Sequence, residues 1–144
     1  MATLSNFAAA GYQFEAVPDL SRLETRERLS QSAVDGLFAI AAKWHISPET
    51  IGDLLGGVPR SSVYKLKTAA GTLRQDALTR ISCVVGIYKA LHILLPEDLA
   101  DRWMTQPNDY DLFSGQSPLE YVLRTGIPGL QQVRGYLDAA RGGR

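Results

Sequence analysis

The hydrophobic residues of the chain recur at the three- and four-residue spacing of amphipathic helices. The first regular stripe begins after Ser30 and predicts a helix with one apolar face. Its members are Val34, Leu37, Phe38, Ala41 and Ala42. A broader stripe predicts the longest helix, which would form the spine of the core. Its members are Leu78, Ile81, Val84, Val85, Tyr88, Leu91, His92 and Leu95.

Capping residues and glycines delimit two short helices after the first stripe. Ser47 is followed by Pro48, a residue type favoured at the first helical position, so this pair predicts a helix start. Gly56 and Gly57 predict its end, because glycine adopts the backbone conformation that terminates helices without a steric cost. Pro59 then predicts the start of a third helix, which runs to about residue 67.

The second half of the chain carries further helix boundaries. Residues 72–75 and 117–120 each match a capping box, in which the first and fourth residues bond to each other's backbone. Pro96 predicts a short helix, residues 106–115 have the composition of a loop, and Gly126 separates the last two helices. Since no window alternates apolar and polar residues for long enough to indicate a strand, the pattern predicts an all-α fold of about seven helices.

The composition is that of an ordinary globular chain. Of 144 residues, 45% are hydrophobic and 21% are charged, a balance that argues against disorder. Fifteen Lys and Arg offset fifteen Asp and Glu, so bulk charge does not attract nucleic acid. The charge is locally uneven, however, because residues 60–80 hold a basic excess against the single acid Asp76. The basic residues of this segment are Arg60, Lys65, Lys67, Arg74 and Arg80.

The sequence lacks the features of an exported or membrane protein. The lone cysteine, Cys83, excludes an intramolecular disulfide and therefore a secreted disulfide scaffold. The N-terminus lacks the basic and apolar regions of a signal peptide, and no run approaches the roughly 20 apolar residues of a bilayer span. We therefore expect a soluble, cytoplasmic protein that does not contact a membrane.

Catalytic and metal-binding patterns are also missing from the sequence. The chain has no glycine-rich phosphate-binding loop, and Cys83, His45 and His92 are too far apart for a zinc site. Cys83 lies in an apolar run, which is typical of a buried structural thiol. His92 is expected to be a half-buried helix histidine with one hydrogen-bonded nitrogen. We therefore expect neither enzyme activity nor a metal.

Residues 47–67 have the pattern of a helix-turn-helix, in which two short helices cross through a tight turn. Apolar residues would hold the crossing, namely Ile51, Leu54, Leu55, Val58, Val63 and Leu66. Polar residues would face outward from the second helix and contact phosphates or base edges. These predicted DNA-binding residues are Arg60, Ser61, Ser62, Tyr64, Lys65 and Lys67. Because the usual turn has one glycine and this chain has Gly56 and Gly57, the alternative is an ordinary helical hairpin with a basic solvent face.

Short motifs follow one another in a characteristic order through the second half of the chain. They are Gly86-Ile87-Tyr88-Lys89-Ala90-Leu91, Ala100-Asp101-Arg102-Trp103, Pro107-Asn108, Ser117-Pro118-Leu119, Val133-Arg134-Gly135-Tyr136-Leu137 and Arg141-Gly142-Gly143. This half resembles the toxin-binding domain of the Xre/MbcA/ParS antitoxin family, and the preceding helix-turn-helix is similar to the Xre part of the same architecture. The resemblance implies a helix-turn-helix domain over residues 30–71 and a toxin-binding domain over residues 72–144. Residues 1–29 would form an arm or a short helix.

The resemblance implies the antitoxin of a RES–Xre type II toxin–antitoxin pair. Such an antitoxin binds a RES-domain toxin, which depletes cellular NAD, and blocks the toxin's active-site cleft. It is a homodimer that binds operator DNA and represses its own operon, and it needs no cofactor. The toxin-binding residues that this implies are Arg134, Tyr136, Arg141, Gly142, Gly143 and Arg144. The last four residues are either an arginine plug for a cleft that holds pyrophosphate or a frayed, solvated terminus.

Two other functions are consistent with the same sequence features. The first is a stand-alone helix-turn-helix repressor, whose C-terminal domain only dimerises it. The second is an interaction module of the family that has lost DNA binding, which the widened turn at Gly56 and Gly57 favours. Substitutions in the outward face of the second short helix distinguish the DNA-binding alternatives from the module that binds no DNA.

Overall fold

In the computed structural model, the structure describes residues 18–142, which fold into seven α-helices without a strand. The helices are α1 (Leu23–Trp44), α2 (Pro48–Leu54), α3 (Arg60–Thr68), α4 (Gln75–Leu94), α5 (Glu97–Trp103), α6 (Pro118–Thr125) and α7 (Ile127–Arg141). This confirms the predicted all-α fold. The predicted arm or short helix spans residues 1–29. Its residues 1–17 lie outside the described residues, and residues 23–29 form the first turns of α1.

Helix α1 begins at Leu23, earlier than the start near Ser30 that the stripe predicts. Its first turns are rich in glutamate, arginine and leucine, which have high helix propensity but form no apolar stripe here. The Arg26 guanidinium donates to the backbone carbonyls of Leu20 and Ser21, at 3.2 Å in each case. The predicted start is therefore wrong, because propensity and this contact extend the helix beyond its amphipathic part.

Helix α4 is the spine of the core, as its broad apolar stripe predicts. It is not the longest helix, however, since it has 20 residues and α1, which starts before its own apolar stripe, has 22. It packs against α1, α5 and α7, and Val84, Ile87 and Leu91 are almost completely shielded from solvent. Complete burial of such a side chain contributes about 1.5 to 3 kcal/mol. Within residues 18–142, α4 is the one helix long and apolar enough to cross a membrane, a property that it shares with the core helices of globular folds.

One continuous hydrophobic core joins the two halves of the chain. It includes Trp44 of α1, Leu54 of α2 and Val63 of α3, together with Leu130 and Leu137 of α7. Helix α2 also packs directly against α6. The short pair α2 and α3 is therefore held on the same core as the helices of the second half.

Two of the predicted helix caps are confirmed. The Ser47 hydroxyl accepts a hydrogen bond from the Thr50 N–H at 3.2 Å, with Pro48 at the start of α2. At the start of α6 the Ser117 hydroxyl accepts from the Glu120 N–H at 3.1 Å. The Glu120 carboxylate accepts from the Ser117 N–H at 2.9 Å, which completes the capping box.

The capping box predicted at residues 72–75 is wrong. Helix α4 begins at Gln75, and its N-cap residue, Arg74, makes no side-chain capping bond. The Leu73 N–H instead donates to the hydroxyl of Ser30 at 2.9 Å, and Ser30 is fully buried on α1. This contact between distant parts of the chain fixes the segment before α4, so the helix starts later than the sequence motif predicts.

Candidate DNA-binding and partner-binding surfaces

Helices α2 and α3 enclose the apolar residues that the helix-turn-helix pattern assigns to their interior. The buried members are Ile51, Leu54, Leu55 and Val63. Val58 and Leu66 are partly buried and pack against the same core. The predicted interior is therefore confirmed, and α1 also packs against α3.

Hydrogen bonds to the backbone of Gly52 stabilise the turn between α2 and α3. The N–H groups of Gly57 and Val58 both donate to the Gly52 carbonyl oxygen at 2.9 Å. The Val58 carbonyl oxygen lies so close to Gly52 that a Cβ atom there would overlap it. Residue 52 must therefore be glycine for the two helices to cross in this way.

The paired glycines of the turn accommodate a side chain from α4. Gly56 and Gly57 both have positive φ, at 98° and 105°. The Arg80 guanidinium packs on Gly56, where a Cβ atom would lie 3.2 Å from the arginine Cζ. Because the Arg80 side chain is only 19% exposed and lies 3.9 Å from the Asp76 carboxylate, it supports the turn from inside. Arg80 therefore does not contribute to an exposed basic surface, although the charge count over residues 60–80 includes it.

The other side of α3 carries the predicted DNA-binding residues. The exposed ones are Arg60, Ser61, Tyr64, Lys65 and Lys67, and Ser62 is half-buried. The structure places these residues on one short helix that is anchored by the buried Val63. Cations and hydroxyls on an exposed helix are donors suited to phosphates and base edges.

Two neighbours hold the Arg60 side chain at the start of α3. Its Nη1 atom lies 3.0 Å from Oε2 of Glu49 on α2. Its Nη2 atom donates to the Tyr64 hydroxyl at 3.3 Å, and its Cζ atom lies 5.8 Å from the centre of the Tyr64 ring. The hydrogen bond to Tyr64 and the charge of Glu49 raise the pKa of Arg60, so this arginine stays a cation.

On the second half, Arg134 of α7 lies across α4. Gly86 leaves room for it, since a Cβ atom at that position would lie 2.5 Å from the arginine Nε. The Arg134 Nη1 atom donates to the Ser82 carbonyl oxygen at 3.4 Å, and Nε lies 3.7 Å from the Asp138 carboxylate. Arg134 therefore joins α7 to α4, and its predicted contact with a toxin stays a prediction.

Tyr136 lies on a different side of α7. Its ring centre is 4.4 Å from that of Tyr110, which belongs to the loop between α5 and α6. The Tyr110 N–H donates to the Asn108 side chain at 2.9 Å, which fixes the loop beside the helix. Because residues two positions apart on a helix do not share a face, the structure does not bring Tyr136 and Arg134 together.

The end of α7 carries the start of the predicted arginine tail. Arg141 and Gly142 are exposed, and the Gly142 N–H donates to the Asp138 carbonyl oxygen at 2.9 Å. Gly143 and Arg144 lie outside the described residues. The role of this tail therefore stays a prediction.

Cys83 is a buried residue of α4, as expected. Burial raises the pKa of the Cys83 thiol, and the charge of the nearby Arg134 guanidinium offsets only part of this shift. The thiol is therefore protonated at neutral pH and is a poor nucleophile. The predicted burial of Cys83 is confirmed, and its structural role stays a prediction.

His92 joins the end of α4 to α5. Its Nδ1 atom lies 2.9 Å from the Tyr88 carbonyl oxygen, and its Nε2 atom lies 2.9 Å from Oδ1 of Asp101. The Nδ1 contact is the one hydrogen bond that the sequence predicts, whereas Nε2 approaches the Asp101 carboxylate without hydrogen-bond geometry. The part of the chain that the structure describes contains no cluster of side chains that could hold a metal ion.

Some residues of these surfaces are absent from the predicted sets. Glu49 is one, because a charge count limited to residues 60–80 excludes it, although it lies next to Arg60 in space. Gly52 and Tyr110 are others, because neither belongs to a periodic stripe. These residues can be identified only from contacts between separate elements, such as the ion pair between α2 and α3.

Comparisons with known proteins match both halves of the chain. The antitoxin Xre-like helix-turn-helix domain matches residues 22–86, and the antitoxin Xre/MbcA/ParS C-terminal toxin-binding domain matches residues 90–143. These families are non-catalytic. A protein described as "Uncharacterized protein y4oB" from Sinorhizobium fredii (strain NBRC 101917 / NGR234) is 41% identical over 111 residues, which cover 76% of this chain and 84% of that protein. No solved structure matches the chain significantly.

The matches agree with the arrangement of the two surfaces. The exposed face of α3 lies within the helix-turn-helix match, and α5, α6 and α7 lie entirely within the toxin-binding match. This architecture implies DNA and a toxin as partners. The chain therefore belongs to the Xre/MbcA/ParS-type antitoxins of type II toxin–antitoxin systems.

Proposed function

We propose that this antitoxin binds and blocks a RES-domain toxin that degrades NAD, and that it represses its own operon through α3. The observation that carries the proposal is the joining of both matched domains in one hydrophobic core. Helix α3 carries the exposed basic residues, and α7 carries the proposed toxin-binding residues of the same core. The protein is proposed to act by binding alone, without a catalytic step or a cofactor.

The exposed cations of α3 support the DNA-binding part of the proposal. Arg60, Lys65 and Lys67 project from a helix whose opposite side is fixed by the core. The chain has a net charge of +0, so its DNA affinity comes from this local patch. We propose that a cytoplasmic homodimer presents two such helices to two operator half-sites, which doubles the contacts.

A gel-shift assay on the DNA upstream of the gene tests operator binding. We expect Arg60→Ala and Lys65→Ala each to weaken binding, and the salt dependence to become shallower by about one unit for each lost phosphate contact. Arg102→Ala is the matched control, because Arg102 is an exposed arginine on α5 whose side chain pairs with Asp98 of the same helix. Equal binding by all three variants and the wild type would show that α3 is not the DNA-binding helix.

The C-terminal residues are proposed to enter the toxin's cleft. Arg141 is exposed at the end of α7, and guanidinium groups form bidentate bonds with carboxylates and phosphates. A chain truncated before Arg141 should therefore relieve toxin-induced growth arrest less well than the full chain. Complete relief by the truncated chain, at equal protein level, would remove the role of the tail while leaving neutralisation by the rest of the domain.

A further inference from the structure

The ion pair between Glu49 and Arg60 links the two helices of the helix-turn-helix at its exposed surface. The Glu49 side chain is 55% exposed and that of Arg60 is 59% exposed, so both are accessible to a ligand. Glu49 lies in the first turn of α2, and Arg60 is the first residue of α3. A carboxylate at this place weakens attraction to phosphates, so its presence on a DNA-binding surface needs a reason.

Arg60 keeps donor capacity in spite of its two contacts. The Nη1 atom lies 3.0 Å from the Glu49 carboxylate, and the Nη2 atom donates one N–H group to the Tyr64 hydroxyl. Each of these nitrogens carries a second N–H group, and so the planar fork can still donate to a base edge. The contacts on α2 and α3 therefore fix the direction of the fork without occupying it.

The resulting arrangement is a donor group beside an acceptor group, with 3.0 Å between Nη1 and Oε2. In the major groove a G·C pair presents the complementary arrangement, with acceptors on guanine N7 and O6 and a donor on cytosine N4. The O6 and N4 atoms are joined by a hydrogen bond and are therefore about 2.9 Å apart. The spacing of the protein groups matches the spacing of the base groups.

We infer that Glu49 is a specificity-determining residue, which together with Arg60 recognises a G·C base pair in the operator. Arg60 donates to the guanine, and Glu49 accepts from the cytosine amino group. The inference rests on the proposed binding of DNA through α3. It assigns a base-reading role to α2, in addition to the outward residues of α3.

The Glu49 carboxylate also discriminates against other base pairs. An A·T pair in the same place presents the thymine O4 acceptor or methyl group where the cytosine donor would lie. A carboxylate next to an acceptor is unpaired and repelled, whereas the neutral amide of glutamine can donate to it. Glu49→Gln should therefore relax selection at this position and increase binding to unrelated sequences.

Selection of duplexes from a randomised DNA library provides the test. The wild-type protein should enrich sites with a G·C pair at one fixed position. Glu49→Gln should reduce the preference for that pair over A·T by about tenfold, in line with the loss of one good base contact. Its binding to a random duplex should stay equal or increase. Glu97→Gln is the control, because it removes the same charge from an exposed position on α5.

The outcomes separate this inference from the proposed function. If the wild-type protein enriches no sequence and binds no duplex, DNA binding itself is wrong, and the role of Glu49 falls with it. If the wild-type protein selects a site and Glu49→Gln selects it equally strongly, DNA binding stands and the role of Glu49 is wrong. A thermal melting curve of each variant verifies that it is folded.

Discussion

At the scale of the residue, two glycines decide how closely parts of this fold approach each other. A Cβ atom at Gly52 would overlap the Val58 carbonyl oxygen, and a Cβ atom at Gly86 would meet the Arg134 guanidinium. The first obstacle is backbone in the turn before α3 and cannot move without opening that turn. The second is the end of a flexible side chain, which can shift. Alanine should therefore be far less tolerated at position 52 than at position 86.

Gly52→Ala should lower the free energy of unfolding by about 1 to 3 kcal/mol, the usual cost of overpacking a buried site. Gly36→Ala is the matched control, because Gly36 lies within α1 and an added Cβ would meet no atom within 4 Å. There alanine should raise stability by about 0.5 to 1 kcal/mol through its better helix propensity. Urea unfolding measures both changes, and a Gly52→Ala protein as stable as the wild type would contradict the close turn.

Cys83 gives the protein a defined response to alkaline pH. Because burial raises the pKa of its thiol in the folded state, the unfolded chain loses this proton first, near pH 8.5. The stability due to the protonated thiol is complete below that pH and decreases as the pH rises towards the folded-state pKa. As the pH rises from about 7 to about 9.5, the free energy of unfolding of the wild type should therefore decrease relative to that of Cys83→Ala. Urea unfolding measures both values. A constant difference would show that the thiol is not shielded.

At the scale of the element, helix starts are set either by local caps or by distant contacts. The starts of α2 and α6 are local, since Ser47 and Ser117 cap residues in their own first turns. The start of α4 is not local, because the Leu73 N–H before it bonds to Ser30 on α1. Two sequences that match the same motif therefore contribute differently to stability.

Alanine at the two predicted cap positions distinguishes these cases. Ser117→Ala should lower the free energy of unfolding by about 1 kcal/mol, because the Glu120 N–H loses its side-chain partner. Thr72→Ala should change it by less than about 0.5 kcal/mol, because Thr72 is exposed and is not the N-cap of α4. Equal losses of stability for both variants, measured by urea unfolding, would show that Thr72 does cap a helix.

The elements that could be predicted from the sequence are those that local patterns determine. Apolar periodicity predicts α4 and the interior of the α2–α3 pair, because both depend on which face of a helix is buried. The capping residues predict the starts of α2 and α6, because a cap and its partner are three residues apart.

The rest depends on contacts between elements that are distant in the chain. The ion pair of Glu49 with Arg60 and the packing of Arg80 on Gly56 exist only once α2, α3 and α4 have docked. The separation of Arg134 from Tyr136 likewise follows from how α7 lies between α4 and the loop that carries Tyr110. Periodicity along one helix carries no information about such neighbours.

At the scale of the whole molecule, the two matched domains are not separate bodies joined by a linker. Helix α4 lies mostly within the helix-turn-helix match, yet it packs against α7 of the toxin-binding match. The Arg80 side chain connects α4 to the turn before the exposed face of α3. The exposed basic residues of α3 and the helices of the toxin-binding match are therefore parts of one folded unit. The chain as a whole has a net charge of +0.

Neutralisation of a RES-domain toxin is tested most directly by intracellular NAD. The proposed RES-domain toxin would be expressed with and without the antitoxin, and NAD would be measured at equal toxin level. We predict that NAD falls with the toxin alone and returns to the level of toxin-free cells when the full chain is present. Arg60→Ala should restore NAD equally well, since Arg60 belongs to the proposed DNA-binding surface. NAD that stays depleted while both proteins are present and soluble would contradict neutralisation and favour a stand-alone repressor.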